Sequence, residues 1–230
     1  MDKIKFGTDG WRAIIAQEFT VLNVARMTEA LALWVNGKGM PKRIVISYDC
    51  RFAGELFAQT VSRVLLAHDI EVLLADSIAT TPMLALASRD LKCAAGVMIT
   101  ASHNPSSYNG YKLKTAAGGP MGGTDLTEIE ALIPEYPSVA FDPTAFDLKA
   151  QSKFKLIDIE TPYVKAIEAS FDMELLRKKT ASYSYDAMYG SGQFVMKRLF
   201  PKMDFFRAVV DPTFQGISPE PIERNLAAFR

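Results

Sequence analysis

The sequence predicts an α/β fold: a mostly parallel sheet layered between helices, followed by an incomplete second domain of the same type. Two patterns and one bulk number predict it. Between residues 20 and 100, segments with helical apolar spacing alternate with short apolar runs rich in β-branched residues. The runs are separated by enough chain for a crossover helix, which makes neighbouring strands parallel. The 230 residues are 49% apolar, enough to bury a substantial core.

The elements follow in order. Residues 20–39 place Val21, Val24, Met27, Leu31 and Trp34 on one helical face, and Gly37, Gly39 and Pro41 end the run. RIVISYD (43–49) reads as a buried strand. Residues 53–69 return to helix, with Phe57, Val61, Val64, Leu65 and His68 along one face. EVLLAD (71–76) is the next strand, and Thr81-Pro82 opens a helix to about Leu91. AAGVMIT (94–100) is a third strand, and YKLKTA (111–116) a further one across a loop. The glycine-rich AAGGPMGG (116–123) lacks the spacing and the Lys-Ser/Thr of a P-loop and reads as a plain turn before a helix from Thr124 to Ile133.

Residues 134–152 carry prolines and polar residues and read as a linker, so the first domain is drawn over 1–150 and the second over 151–230. In the second, Thr161-Pro162 opens a helix to Lys179, SYSYDAMYG (182–190) is a strand entering a turn, 191–200 is helical, RAVVD (207–211) is a strand, and Ser218-Pro219 begins another helix. That is small for a finished doubly wound domain, and the chain is expected to be part of a longer protein.

Charge and composition exclude several classes. Lys and Arg balance Asp and Glu, with no basic run, so neither a nucleic acid nor a membrane is the expected partner. No apolar stretch is long enough for a bilayer span. The start, MDKIKFGTDGWR, has no apolar core or cleavage site of a secretory signal. Cys50 and Cys93 read as free, buried thiols, and no Cys-x-x-Cys is present. A cytoplasmic setting is the expectation.

One stretch carries chemistry. TASHNPSSYNGYK (100–112) sets Ser102 beside His103, one of two histidines, in a loop after the end of a buried strand. Ligands in open α/β sheets bind outside the carboxyl ends of strands. Asn104-Pro105 and Asn109-Gly110 are turn formers, so the loop should be ordered. A serine hydrolase fits poorly: adjacent residues on an extended chain point apart, His68 belongs to an apolar helix face, and no Gly-x-Ser-x-Gly elbow exists. Phosphoryl transfer through Ser102 would need cations nearby, and Lys112, Lys114 and Arg12 are the candidates. A surface turn without chemistry is the third reading.

The motifs are shared by a known family. TASHNPSSYNGYK resembles the phosphoserine loop of the α-D-phosphohexomutases, the phosphoglucomutase/phosphomannomutase superfamily. FGTDGWRA (6–13) is similar to that family's N-terminal active-site loop, SYDCRFAGELFA (47–58) to its Asp-x-Arg segment, and ATTPMLALA (79–87) to its Thr-x-Pro segment. YDAMYGSG (185–192) and DPTFQGISPEPIERNL (211–226) resemble segments of its second domain. The resemblance implies a mixed sheet between helices for domain I and the beginning of a like domain II, with domains III and IV absent.

It also implies a reaction. Hexose 1-phosphate and hexose 6-phosphate, of glucose or mannose, would be interconverted through a phosphorylated Ser102 and a hexose 1,6-bisphosphate. Arg12 and Lys112 match cations near the phosphoserine, and His103 a residue suited to proton handling. Thr8, Asp9 and Asn104 would hold the loops together. Mg2+ would be shared between the phosphate on Ser102 and three aspartates of an Asp-Gly-Asp-x-Asp-Arg loop. No such loop occurs here, and Asp125, Glu128 and Glu130 belong to the first turns of a helix. Residues 1–230 alone are therefore expected to be inactive. Tyr-Asn-Gly-Tyr-Lys (108–112) is closer to glucose- and mannose-phosphate mutases than to phosphoglucosamine mutases. A phosphoglucosamine mutase and a non-catalytic binding relative remain as alternatives.

Overall fold

The computed structural model describes residues 4–7, 10–139, 147–178 and 183–227. Its main sheet has six strands in the order β1-β5-β4-β2-β3-β6. These are β1 (Trp11–Ile14), β2 (Arg43–Tyr48), β3 (Glu71–Ala75), β4 (Ala95–Ile99), β5 (Tyr108–Thr115) and β6 (Phe154–Ile157). β2 pairs in parallel with both β3 and β4, and β6 with β3. β5 runs antiparallel to β4, and β1 antiparallel to β5. The sheet is mixed and mostly parallel.

Strand alternation splits the apolar residues between two layers. Ile44, Ile46, Val72, Leu74, Val97, Ile99, Tyr111 and Leu113 face a core shared with α1 (Val21–Gly37), α2 (Gly54–Ala67) and α4 (Gly123–Ala131). Val45, Leu73, Ala75 and Met98 face the other layer, with α3 (Thr81–Asp90), α5 (Glu160–Ser170) and α7 (Gly192–Leu199). Both faces are thus covered. Thr20 caps α1 by accepting from the Asn23 amide at 3.2 Å. The helix at Thr81-Pro82 begins after Thr80, whose side chain makes no capping bond.

Several expectations are corrected. Trp11-Arg12 lie in an edge strand rather than a loop, because the main chain of 11–14 pairs with 108–111. Asn109-Gly110 is strand, not turn, for the same reason. The helix expected over 161–179 breaks at Phe171, where the backbone is extended, and resumes as α6 (Met173–Lys178). The strand expected at 207–211 lies earlier: β8 (Asp204–Phe206) pairs in parallel with β7 (Ser184–Asp186). Arg207 has a φ of 41°, which ends the strand. No α-helix starts at Ser218-Pro219; a short 3-10 turn occupies Glu223–Asn225. The sheet also continues past residue 150 through β6, although 134–152 reads as a linker.

His68 caps the C-terminal end of α2, with Nε2 3.9 Å from a Glu29 carboxylate oxygen. Cys50 and Cys93 are free and buried. No helix among the described residues is long and apolar enough to cross a membrane.

Candidate active site

The carboxyl ends of β2 and β4 lie side by side, joined by the Asp49 amide donating to the Ile99 carbonyl at 3.1 Å. Asp49-Cys50-Arg51 leaves β2 and Thr100-Ala101-Ser102 leaves β4, so the sheet topology brings the two segments together. A cavity of about 370 Å³ opens there, lined by Asp49, Cys50, Met98, Thr100, Ser102 and His103, and from the second part of the chain by Ala187, Gly190, Ser191, Phe214, Pro219 and Pro221.

Ser102 stands exposed at this mouth in the left-handed region, with a φ of 59°. A non-glycine residue there is strained by of order 1–3 kcal/mol and persists only where neighbours fix it. The bend also changes the relation to His103. The two side chains do not point apart; Ser102 Oγ and His103 Nδ1 are 3.4 Å from each other.

Arg12 and Lys112 share one face of the sheet. Trp11 and Tyr111, opposite each other, point into the α1–α2 core, so Arg12, Gly110 and Lys112 point to the other side. Lys112 sits opposite Met98, which lines the cavity, and is 8% exposed. Arg12 Nη1 donates to Asn104 Oδ1 at 2.7 Å. Glycines make the space: a Cβ on Gly110 would come 3.1 Å from Arg12 Cγ, and one on Gly10 2.8 Å from Lys112 Cγ. Neither Arg12 nor Lys112 lines this cavity; Arg12 lines a separate one, with Trp11, Ile14 and Tyr108. Thr8 and Asp9 lie outside the described residues.

The Asp-x-Arg segment and Thr100, to which the sequence assigns no role, underlie the loop. Thr100 Oγ1 donates to Asp49 Oδ2 and accepts from the Ser102 amide at 3.0 Å. Arg51, its side chain fully buried, donates to the carbonyls of Ser102, Asn104, Pro105 and Tyr108. Burial pushes the Asp49 carboxyl above its ordinary value, opposed by Arg51 and Thr100. Burial pulls Arg51 down, opposed by Asp49, and the guanidinium stays charged. The signal was present in the Asp-x-Arg spacing, but not its target.

The family model described as "Phosphoglucomutase/phosphomannomutase, alpha/beta/alpha domain I" matches residues 3–139. The chain belongs to the phosphoglucomutase/phosphomannomutase family. A Staphylococcus aureus phosphoglucomutase is 30% identical over 235 residues, covering 94% of this chain and 41% of that protein. A Thermus thermophilus protein described as a phosphomannomutase superposes with a TM-score of 0.86 at 32% identity, covering 99% of this chain and 51% of that one. The Paramecium phosphoglucomutase pp63/parafusin shares the fold, with a TM-score of 0.82 at 20% identity over 97% of this chain and 46% of its own. The chain thus spans about half or less of the length of these relatives.

As a metal site, the described residues of this family member are insufficient alone. No group of three or more His, Cys, Asp or Glu among them could hold an ion. Asp49 is committed to Thr100 and Arg51. Glu128 holds Lys38 at 2.7 Å and the Trp34 indole at 2.8 Å, and Glu130 accepts from the Phe6 amide at 2.5 Å.

Proposed function

We propose that this chain carries the phosphoserine part of a phosphohexomutase that interconverts hexose 1- and 6-phosphates of glucose or mannose. The observation that carries the reading is Ser102: exposed, in a left-handed turn over the cavity at the strand ends, inside a family whose members are named for this reaction. Phosphoryl transfer asks for positioning and charge neutralisation more than covalent help. Arg12 and Lys112 would neutralise the phosphoryl oxygens from the sheet face they share. His103, within 3.4 Å of Ser102 Oγ, would take the hydroxyl proton as the serine is phosphorylated and return it when the group leaves.

Hexose 1,6-bisphosphate would act as donor and intermediate, and a small phosphosugar is the only partner proposed. Mg2+ would meet this chain through a phosphate oxygen on Ser102, with carboxylates from outside the described residues. Residues 1–230 alone would then lack turnover. A cytoplasmic setting belongs to the same proposal.

The test is incubation of the full-length protein with glucose 1,6-bisphosphate and Mg2+, then mapping of phosphate by fragment mass spectrometry. Phosphate confined to Ser102 is the expected result. Bare Ser102 in treated and untreated protein would replace this reading with a mutase for another sugar, such as a glucosamine phosphate, or with a non-catalytic binding relative.

A further inference from the structure

We propose that Arg51, Asp49 and Thr100 form a clamp that fixes both peptide planes flanking Ser102 and thereby aims its hydroxyl at the cavity. This deepens the phosphoserine reading and rests on it. The N–H of Ser102 donates to Thr100 Oγ1 at 3.0 Å, which fixes the plane before the residue. The carbonyl of Ser102 accepts from Arg51 Nη2 at 2.9 Å, which fixes the plane after it. With both planar peptide units tethered, φ and ψ of Ser102 are restricted, and the Cα–Cβ direction with them.

Arg51 does this with geometry more than with charge. Its two Nη atoms reach four carbonyls: Pro105 at 2.8 Å and Tyr108 at 2.9 Å from Nη1, Ser102 at 2.9 Å and Asn104 at 2.7 Å from Nη2. Nε lies 3.4 Å from Asp49 Oδ2. Asp49 ties the two halves together, since its Oδ1 accepts from the Arg51 amide at 3.0 Å while Oδ2 receives the Thr100 hydroxyl. A lysine offers a point charge with no planar fork and cannot serve four carbonyls at once. The hydrogen-bond partner of Ser102 Oγ is His103 Nδ1, whereas the clamp side chains bond to the main chain of the loop and to one another. They are positioning residues.

The clamp is tested in the full-length protein with Thr100→Val, Thr100→Ser and Arg51→Lys. Thr100→Val keeps the shape and removes the hydroxyl. We expect it to slow phosphate transfer from glucose 1,6-bisphosphate to Ser102 by about tenfold or more, with KM for the sugar phosphate nearly unchanged. Thr100→Ser, which restores the hydroxyl, should return within about threefold of the parent. Arg51→Lys should be as slow as Thr100→Val although the charge is kept. Hydrogen exchange should show amides 102–108 opening about tenfold faster in Thr100→Val, with β2 and β4 unchanged. Parent-like phosphorylation in Thr100→Val, or no recovery in Thr100→Ser, overturns the clamp. If the parent protein itself takes no phosphate on Ser102, the phosphoserine reading fails, and loop exchange alone decides. Faster exchange in Thr100→Val then supports the clamp, and unchanged exchange overturns it.

Discussion

Arg12 and Asn104, 92 residues apart in sequence, meet through a single charged hydrogen bond of 2.7 Å that fastens an edge strand to the serine loop. Bonds to charged groups are worth about 1.5–3 kcal/mol, enough for roughly a tenfold to hundredfold effect. In the full-length protein, Asn104→Ala should lower kcat/KM by about tenfold, and Arg12→Met by about a hundredfold, since it also removes the cation. A double-mutant cycle should give a coupling of about 1 kcal/mol or more. Additive losses would show that the two residues act separately.

Gly110 is a site of close backbone approach. A Cβ there would stand 2.5 Å from the carbonyl oxygen of Thr100, just past the end of β4, and 2.9 Å from that of Trp11 in β1. Gly110→Ala should therefore cost about 2–4 kcal/mol, read as a lowered urea midpoint. Gly122→Ala, with nothing within 4 Å, meets no clash and should cost under about 1 kcal/mol, the loss of a preferred N-cap residue.

The thiols set a limit on alkaline stability. Burial pushes Cys50 up to about 12 and Cys93 up to about 11, from an ordinary value of 9.0. From pH 9 to about 10.5 the unfolded chain gives up thiol protons that the folded chain largely keeps, so stability falls as pH rises. Each thiol should contribute a slope of about 1.4 kcal/mol per pH unit, fully present by about pH 10. Cys50→Ala with Cys93→Ala should flatten that loss in urea titrations at pH 8.5 and 10.5. An unchanged slope would mean that the thiols ionise in the folded state.

Ser102→Ala in the full-length protein should abolish mutase turnover while Cys93→Ala leaves it intact. The coupled assay for glucose 6-phosphate formation separates them. More than a trace of turnover in Ser102→Ala would remove the phosphoserine from the mechanism.

Much of the fold was legible because its centre obeys simple rules. β2, β3 and β4 are short apolar runs with helices between them, the pattern of strands buried on both faces and paired in parallel through crossover helices. The edges were harder. β1 spans four residues behind a glycine-rich segment, and only its pairing with β5 makes it a strand. Asn109-Gly110 carries turn chemistry, yet the glycine serves to let Thr100 and Trp11 approach. RAVVD has strand composition, but Arg207 turns left-handed and its guanidinium closes on the Asp186 carboxylate, leaving Val209 and Val210 exposed.

The site divided in the same way. Ser102 and His103 declare themselves by adjacency and by the loop that holds them. Arg51 does not, because its partners are main-chain carbonyls 51 to 57 residues away, and main chain has no letter in a sequence.

The φ of 59° at Ser102 has a consequence for how such chains diversify. On conformation alone, the backbone there favours glycine, and Ser102→Gly would relieve about 1 kcal/mol. Folding and the proposed chemistry thus prefer different residues at one position. A lineage released from the reaction could drift to glycine at 102 and gain robustness by doing so. A serine kept in that turn is what the proposed phosphoserine role requires.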